Sequence, residues 1–150
     1  MAIEIDYNPA KEDAGDLRDL YNSYPAWAGR TVEEVRNILD YTDEVICLWD
    51  TETEDLIGSA RVLTDYHYYG MIYEVIVLES RRSEGFGERV MNAISEHPRL
   101  EEVTLMLHCQ EKLVPFYEKC GFTTHDRGLR LPSGETSNNR TMKQRLTSSN

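Results

Sequence analysis

The segment EVIVLESRRSEGFG, residues 74–87, carries the residue types and spacing that bear most directly on chemistry. An apolar run gives way to two arginines, Arg81 and Arg82, and two glycines, Gly85 and Gly87, and a helical pattern opens at Phe86. The first N–H groups of a helix have no partners within it, and the helix dipole favours negative charge there. Glycine lets main chain approach an anion with no Cβ in the way, and arginine adds charge-assisted hydrogen bonds. The order strand, arginine, glycine, helix therefore predicts a cradle for a phosphate-like anion. A dinucleotide fingerprint does not fit, because it needs a third glycine and position 90 is Val90. The lysine and hydroxyl residue of a P-loop are missing too. Without a ligand, the same residues read as a plain strand-to-helix turn.

One strand further along comes QEKLVPFYEKCGF, residues 110–122. Taken with the first segment, it resembles the GNAT superfamily of acetyl-coenzyme A-dependent N-acetyltransferases. Arg82, Gly85 and Gly87 match that family's phosphate motif, Arg/Gln-x-x-Gly-x-Gly/Ala. Gln110, Phe116, Tyr117, Glu118, Lys119, Gly121 and Phe122 match its later signature. The stretch LIGSARVLTD, residues 56–65, resembles the hairpin strand that precedes the motif strand, so the likeness covers roughly residues 45–125 in consistent order. Two positions depart from the pattern. Ser83 stands where glycine is common, and Glu84 puts a carboxylate beside the expected phosphates, although an acid in a first helical turn is locally favourable.

The resemblance implies a division of labour. Main-chain groups near Ile76, Val77 and Leu78 would hold the pantetheine arm and polarise the thioester carbonyl, while the backbone of Arg82, Ser83, Glu84, Gly85, Phe86 and Gly87 would meet the pyrophosphate. Gln110 stands at the family's Asn-like position, among the residues expected to bind the coenzyme, and Tyr117 at the position of the acid that protonates the leaving thiolate. Chemistry sets three demands: an amine freed of its proton, a fixed donor for the developing oxyanion, and a proton for the thiolate. Glu74 is the candidate base, since partial burial can bring a carboxylate toward a useful range; the other reading is a strand residue facing a positive partner. His67 and His108 are alternative bases, each also readable as a structural or surface histidine. Tyr117 reads otherwise as a core ring beside Phe116. Direct transfer to a primary amine is expected, with no metal and no covalent enzyme intermediate. A non-catalytic coenzyme A-binding sensor or assembly module is the alternative function.

These groups need a scaffold. Ile3 and Ile5 alternate as in a strand, and Leu17, Leu20 and Tyr21 have helical spacing. Residues 24–29 form an aromatic-rich loop. Thr31 and Glu34 spell a capping box opening a helix with Val32, Val35, Ile38 and Leu39 inward. Residues 45–49 and 56–63 read as a hairpin, 71–78 as a buried strand, 86–97 as a helix, 103–107 as a strand and 113–117 as a short helix. Further strands are expected from Gly121 and near residues 141–146, with a loose tail from about 147. The sum is an α+β chain, a GNAT-like twisted mixed sheet of about six or seven strands with helices on both faces, forming a single acetyltransferase domain over residues 1–150.

Composition narrows the partners. The chain has 150 residues, 40% hydrophobic and 29% charged, which suits one globular domain. Its net charge of -11, from 27 acids and 16 bases, argues against nucleic acid and favours a cationic amine by steering. Nothing approaches the apolar length of a membrane span, and the opening residues lack the pattern of a signal peptide, so no membrane partner and a cytoplasmic location are expected. Cys47, Cys109 and Cys120 lack metal or disulfide spacing and fall in apolar runs, which fits buried thiols in a reducing compartment. The acceptor is expected to be a small molecule rather than a protein, and a homodimer is allowed. Tyr24, Trp27, Tyr66, Tyr68 and Tyr69 are candidates to line an aromatic acceptor cleft.

Overall fold

The computed structural model describes residues 2–125, 129 and 131. Its backbone falls into two compact units, Met1–Leu107 and His108–Asn150.

The first unit is built on a sheet of five strands in chain order: β1 (Ile3–Tyr7), β2 (Glu44–Asp50), β3 (Asp55–Thr64), β4 (Tyr69–Val77) and β5 (Thr104–Leu107). The first four pair antiparallel, and β5 joins β4 in parallel. Six or seven strands were expected; the described residues hold five. The segment from Gly121 to His125 continues as a turn and irregular chain, with Gly121 at a left-handed φ of +101° that ends the preceding helix; among the described residues no strand follows. The strand expected near residues 141–146 lies outside the described residues.

Helices cover both faces of the sheet. Helix α1 (Ala14–Asn22) buries Ala14, Leu17, Leu20 and Tyr21, a stripe at helical spacing, against Val45, Cys47 and Ile76 of the strands. Helix α2 (Val32–Asp40) starts at the capping box: Thr31 Oγ1 accepts from Glu34 N at 3.1 Å, and Glu34 Oε1 accepts from Thr31 N at 2.9 Å. Val35 is its buried contact with the same core; Val32, Ile38 and Leu39 are half-buried. Helix α3 (Phe86–Ser95) packs on the other face, over β2, β3 and β4, through Phe86, Val90, Met91, Ala93 and Ile94. Gly58 is what lets it come close. A Cβ there would stand 3.3 Å from a Val90 methyl carbon.

Two irregularities set β4 apart from its neighbours. Ser59 pairs with Ile76 and Arg61 with Tyr73, so two residues of β4 oppose one of β3: a β-bulge at Glu74 and Val75. Glu74 has φ +49°, left-handed for a branch-free but bulky side chain. In addition, β5 ends at Leu107 opposite Ile72, so beyond Ile72 the strand β4 has no partner in β5.

The second unit contains a 3₁₀ turn, Glu111–Leu113, running into α4 (Val114–Lys119), with Pro115 in the first turn, where its missing N–H costs nothing. Among the cysteines, Cys47 is buried as expected, whereas Cys109 and Cys120 are half-buried; none of the three is in a disulfide. No described helix is long and apolar enough to cross a membrane.

Candidate functional site

The anion cradle begins where β4 ends. Leu78 N donates to Ile57 O at 2.8 Å, fixing the end of the strand to β3. A single 3₁₀ turn, Glu79–Arg81, follows, then Ser83 at φ +70° and Gly85 at φ +84°, and α3 starts at Phe86. Two left-handed residues two apart curl the main chain into a concave turn, the geometry that gathers N–H groups for an anion. Arg89 N makes the first helical bond, to Gly85 O at 3.2 Å. The N–H groups of Phe86 and Gly87, ahead of it, belong to the helix end that has no carbonyl of its own to bond.

Asp50, at the end of β2 and only 3% exposed, anchors this turn. It accepts from Arg81 Nη1 at 3.0 Å and from Glu52 N at 3.0 Å. Burial pushes its carboxyl up, but the Arg81 bond and the backbone N–H groups of Glu52 and Thr53 outweigh that and hold it below the usual carboxylate range. Arg81 also donates from Nε to Glu84 Oε2 at 3.2 Å and lies 5.3 Å from the Phe86 ring centroid. The Glu84 carboxylate, which by sequence would oppose phosphates, is thus drawn onto a guanidinium. Arg82 is exposed, and its Nε donates to Val77 O at 3.3 Å.

Along β4 the alternation of an antiparallel strand decides which main-chain groups face outward. Leu78 N–H points to β3, so the N–H and carbonyl of Val77 point to the opposite edge, where β5 has ended. The bond from Arg82 to Val77 O lies on that edge. Of Ile76, Val77 and Leu78, only Val77 combines an outward N–H with a position on the open edge; the N–H of Leu78 is already taken.

Glu74 sits at the bulge with its carboxylate between two guanidiniums. Arg61 donates from Nε to Oε2 and from Nη2 to Oε1 at 3.4 Å, and Arg30 Nη2 approaches Oε1 at 3.5 Å. The arrangement is the one in which a strand carboxylate faces positive partners. His67 is exposed in the β3–β4 connection, its N–H on Asp65 Oδ1 at 2.9 Å, and His108 is exposed one residue beyond β5.

Gln110 and Tyr117 belong to the second unit. Gln110 is exposed and its carbonyl accepts from Leu113 N at 2.9 Å, opening the turn before α4. Tyr117 is 9% exposed, edge-on to Phe116 at 5.0 Å and to Phe122 at 6.0 Å between ring centroids. Burial, with the Cys109 and Cys120 thiols adding to it, pushes its phenol up to about 12. A phenol so placed keeps its proton throughout the neutral range.

The expected aromatic cleft divides. Tyr24 and Trp27 pack against α1 and its core, Tyr66 donates its hydroxyl to Glu44, and Tyr68 and Tyr69 are exposed at 71% and 61%. Sequence reasoning missed the buried Glu44. It accepts from Asn8, Tyr66, His97 Nε2 at 2.9 Å and Arg99 Nη1 at 3.0 Å, joining β1, β2, the β3–β4 connection and the segment after α3. A cavity of about 330 Å³ beside it, lined by Ser95, Glu96, His97, Pro98 and Glu101, lies at the far end of α3 from the cradle. Also missed were Tyr21 and Arg30 beside Glu74, for which no spacing rule gives a signal.

A mixed sheet with a bulged fourth strand, an open edge beyond it and a curled turn into a helix defines a fold shared with solved acetyltransferases. The crystal structure of an acetyltransferase from Trypanosoma brucei matches with a TM-score of 0.71 and 26% identity, over 87% of this chain and 99% of that one. By sequence, residues 14–122 match the acetyltransferase (GNAT) family, and the chain belongs to that family. An uncharacterised N-acetyltransferase of Gracilaria tenuistipitata is 27% identical over 118 residues, covering 77% of this chain and 64% of that protein's length. Glucosamine 6-phosphate N-acetyltransferase of Trypanosoma brucei brucei is 29% identical over 107 residues, 67% of this chain and 71% of that one.

Proposed function

We propose that the protein is an N-acetyltransferase that moves acetyl from acetyl-coenzyme A to a primary amine on a small molecule, by direct transfer. The observation that carries the reading is the curled turn at Ser83 and Gly85 between the open edge of β4 and the start of α3, in a chain of this family. The family match runs across both compact units, which supports treating the chain as one acetyltransferase domain. Three cysteines outside any disulfide support a reducing, cytoplasmic setting.

In this reading the backbone from Arg82 to Gly87 cradles the pyrophosphate, Ile76 to Leu78 run beside the pantetheine arm, and Gln110 is a further coenzyme-binding residue. The Val77 N–H is the donor for the thioester oxygen, because it faces the edge that β5 leaves open. The amine nitrogen attacks the acyl carbon as a neutral amine; the C–N bond forms, the C–S bond breaks, and the departing thiolate takes a proton from Tyr117. Glu74, whose carboxylate meets Arg61 and Arg30, takes the amine proton directly or through water.

Thiol release from acetyl-coenzyme A across a panel of amines, glucosamine 6-phosphate included, tests the reaction. Acceptor-dependent release supports it. Tight binding of coenzyme A with no release on any amine would favour the sensor or assembly module instead. Gly87→Asp places a carboxylate in the cradle, and calorimetry should show acetyl-coenzyme A affinity falling at least 10-fold in a protein that still folds. Unchanged affinity would remove the cradle assignment.

A further inference from the structure

Beside the bulge of β4, Arg30 is held as a binding group is held. Its backbone is clamped by one side chain: Arg30 N donates to Asn22 Oδ1 at 3.0 Å, and Asn22 Nδ2 donates to Arg30 O at 3.2 Å. Its guanidinium lies 4.7 Å from the Tyr21 ring centroid and 5.1 Å from that of Trp27. One terminal nitrogen, Nη2, meets Glu74; the other, Nη1, is buried with no partner. The hydroxyl of Tyr21, whose residue is 0% exposed, is likewise buried and unpartnered. Burial and the Glu74 charge push that phenol up, outweighing Arg61 and Arg30, so it is a neutral donor.

Charge points the same way. Arg30 and Arg61 share the one carboxylate of Glu74, and the remaining Arg61 nitrogen, Nη1, donates to the neutral Thr42 hydroxyl at 3.1 Å. Two half-buried guanidiniums therefore bond to one carboxylate, with the exposed Glu34 adding its charge near Arg30, in a chain whose net charge is -11. A buried positive charge without its full complement of acceptors is costly unless an anion completes it, and a pre-stacked guanidinium loses little freedom on receiving one.

We propose that Arg30, with Tyr21, receives an anionic oxygen group of the acceptor, so that the acceptor is an amine that also bears a carboxylate or phosphate. The proposal rests on the acetyltransferase reading, which puts the reacting thioester at the end of β4, three residues past Glu74. It adds an anionic group to the cationic amine that net charge alone favours.

Two measurements test it. Thermal melts with inorganic phosphate or with acetate, against chloride at equal ionic strength, need no acceptor. One anion should raise the melting temperature of the wild type, and Arg30→Met and Tyr21→Phe should each lose that rise. An equal rise in all three proteins, or none in the wild type, overturns the proposal. Acetylation of paired amines then separates the sources: O-phosphoethanolamine against ethanolamine for phosphate, β-alanine against its amide for carboxylate. The anionic member of one pair should have at least 10-fold higher kcat/KM, through KM. Arg30→Met should erase that preference and Arg30→Lys restore part of it. An equal fall in kcat for both members would mean that Arg30 serves the chemical step or the fold, and would overturn the proposal. If no amine is acetylated, the acetyltransferase reading fails while the anion-dependent melts still decide this one.

Discussion

At Tyr117 two roles compete. Edge-on packing with Phe116 and Phe122, and a phenol pushed up to about 12 by burial, are what a core ring shows; the proton donation proposed above needs only that the hydroxyl keep its proton and reach the leaving thiolate. Phenylalanine separates them, since it keeps the ring and deletes only the hydroxyl. Tyr117→Phe should melt within about 1 kcal/mol of the wild type and bind acetyl-coenzyme A nearly as well, while kcat falls about 10²-fold. A loss of stability with turnover intact would leave Tyr117 as packing alone. Cys47 offers a cleaner reading of burial. Its thiol, 1% exposed, is pushed by burial from an ordinary 9.0 up to about 12, with the Ser59 contact pulling weakly the other way. In the unfolded chain the thiol loses its proton near 9, whereas the folded chain retains it. The Cys47 contribution is therefore intact below pH 9 and is lost as pH rises from 9 toward 12, by about 1.4 kcal/mol per unit within that window. Denaturant titrations at pH 8, 9 and 10 should show a steeper loss in the wild type than in Cys47→Ala. Parallel curves would mean that the thiol titrates alike in both states.

At the scale of elements, strands and helices were legible wherever the pattern was local. The capping box at Thr31, the β2–β3 hairpin and the start of α3 after Gly85 each follow from residues a few positions apart. What was not legible depends on registers and distant partners. Arg30 reaches Glu74 across 44 residues of chain, and Arg99 reaches Glu44 across 55, so no window of sequence contains either pair. The bulge at Glu74 is invisible for a related reason: it is a mismatch between two strands rather than a property of one. Ser83 is an instructive case, because the sequence raised it as a departure and the backbone explains why it matters. At φ +70° it holds a conformation that glycine adopts freely and a Cβ disfavours by about 1 kcal/mol. Ser83→Gly should leave the curled turn in place and raise stability, offset in part by the extra freedom glycine has when unfolded, for a net gain of up to about 0.5 kcal/mol. Acetyl-coenzyme A affinity should hold or improve. Weaker binding in the glycine variant would show that the Ser83 hydroxyl itself contacts the ligand.

Over the whole molecule, an excess of acids coexists with four arginines placed where ligand anions are expected. The chain carries 27 acids and 16 bases, yet Arg81, Arg82, Arg30 and Arg61 gather along β3, the bulge of β4 and the turn that follows it. Salt acts on these two populations differently. Exposed carboxylates repel one another through solvent, and ions screen that repulsion once the Debye length falls from about 30 Å at 0.01 M to below 8 Å above 0.15 M. The half-buried pairs, Arg61 with Glu74 and Arg81 with Asp50, are screened far less. Relief of repulsion therefore wins, and the melting temperature should climb as sodium chloride is raised from 0.01 to 0.5 M, most of the gain arriving by about 0.15 M. Glu44 sharpens the test, because its carboxylate is 1% exposed and bonded to the buried His97, out of reach of mobile ions. Glu44→Gln should lower the melting temperature at every salt concentration by a similar amount, leaving the slope of the salt curve unchanged. A melting temperature that falls with salt would mean instead that exposed ion pairs, rather than net repulsion, govern the stability of this acidic chain.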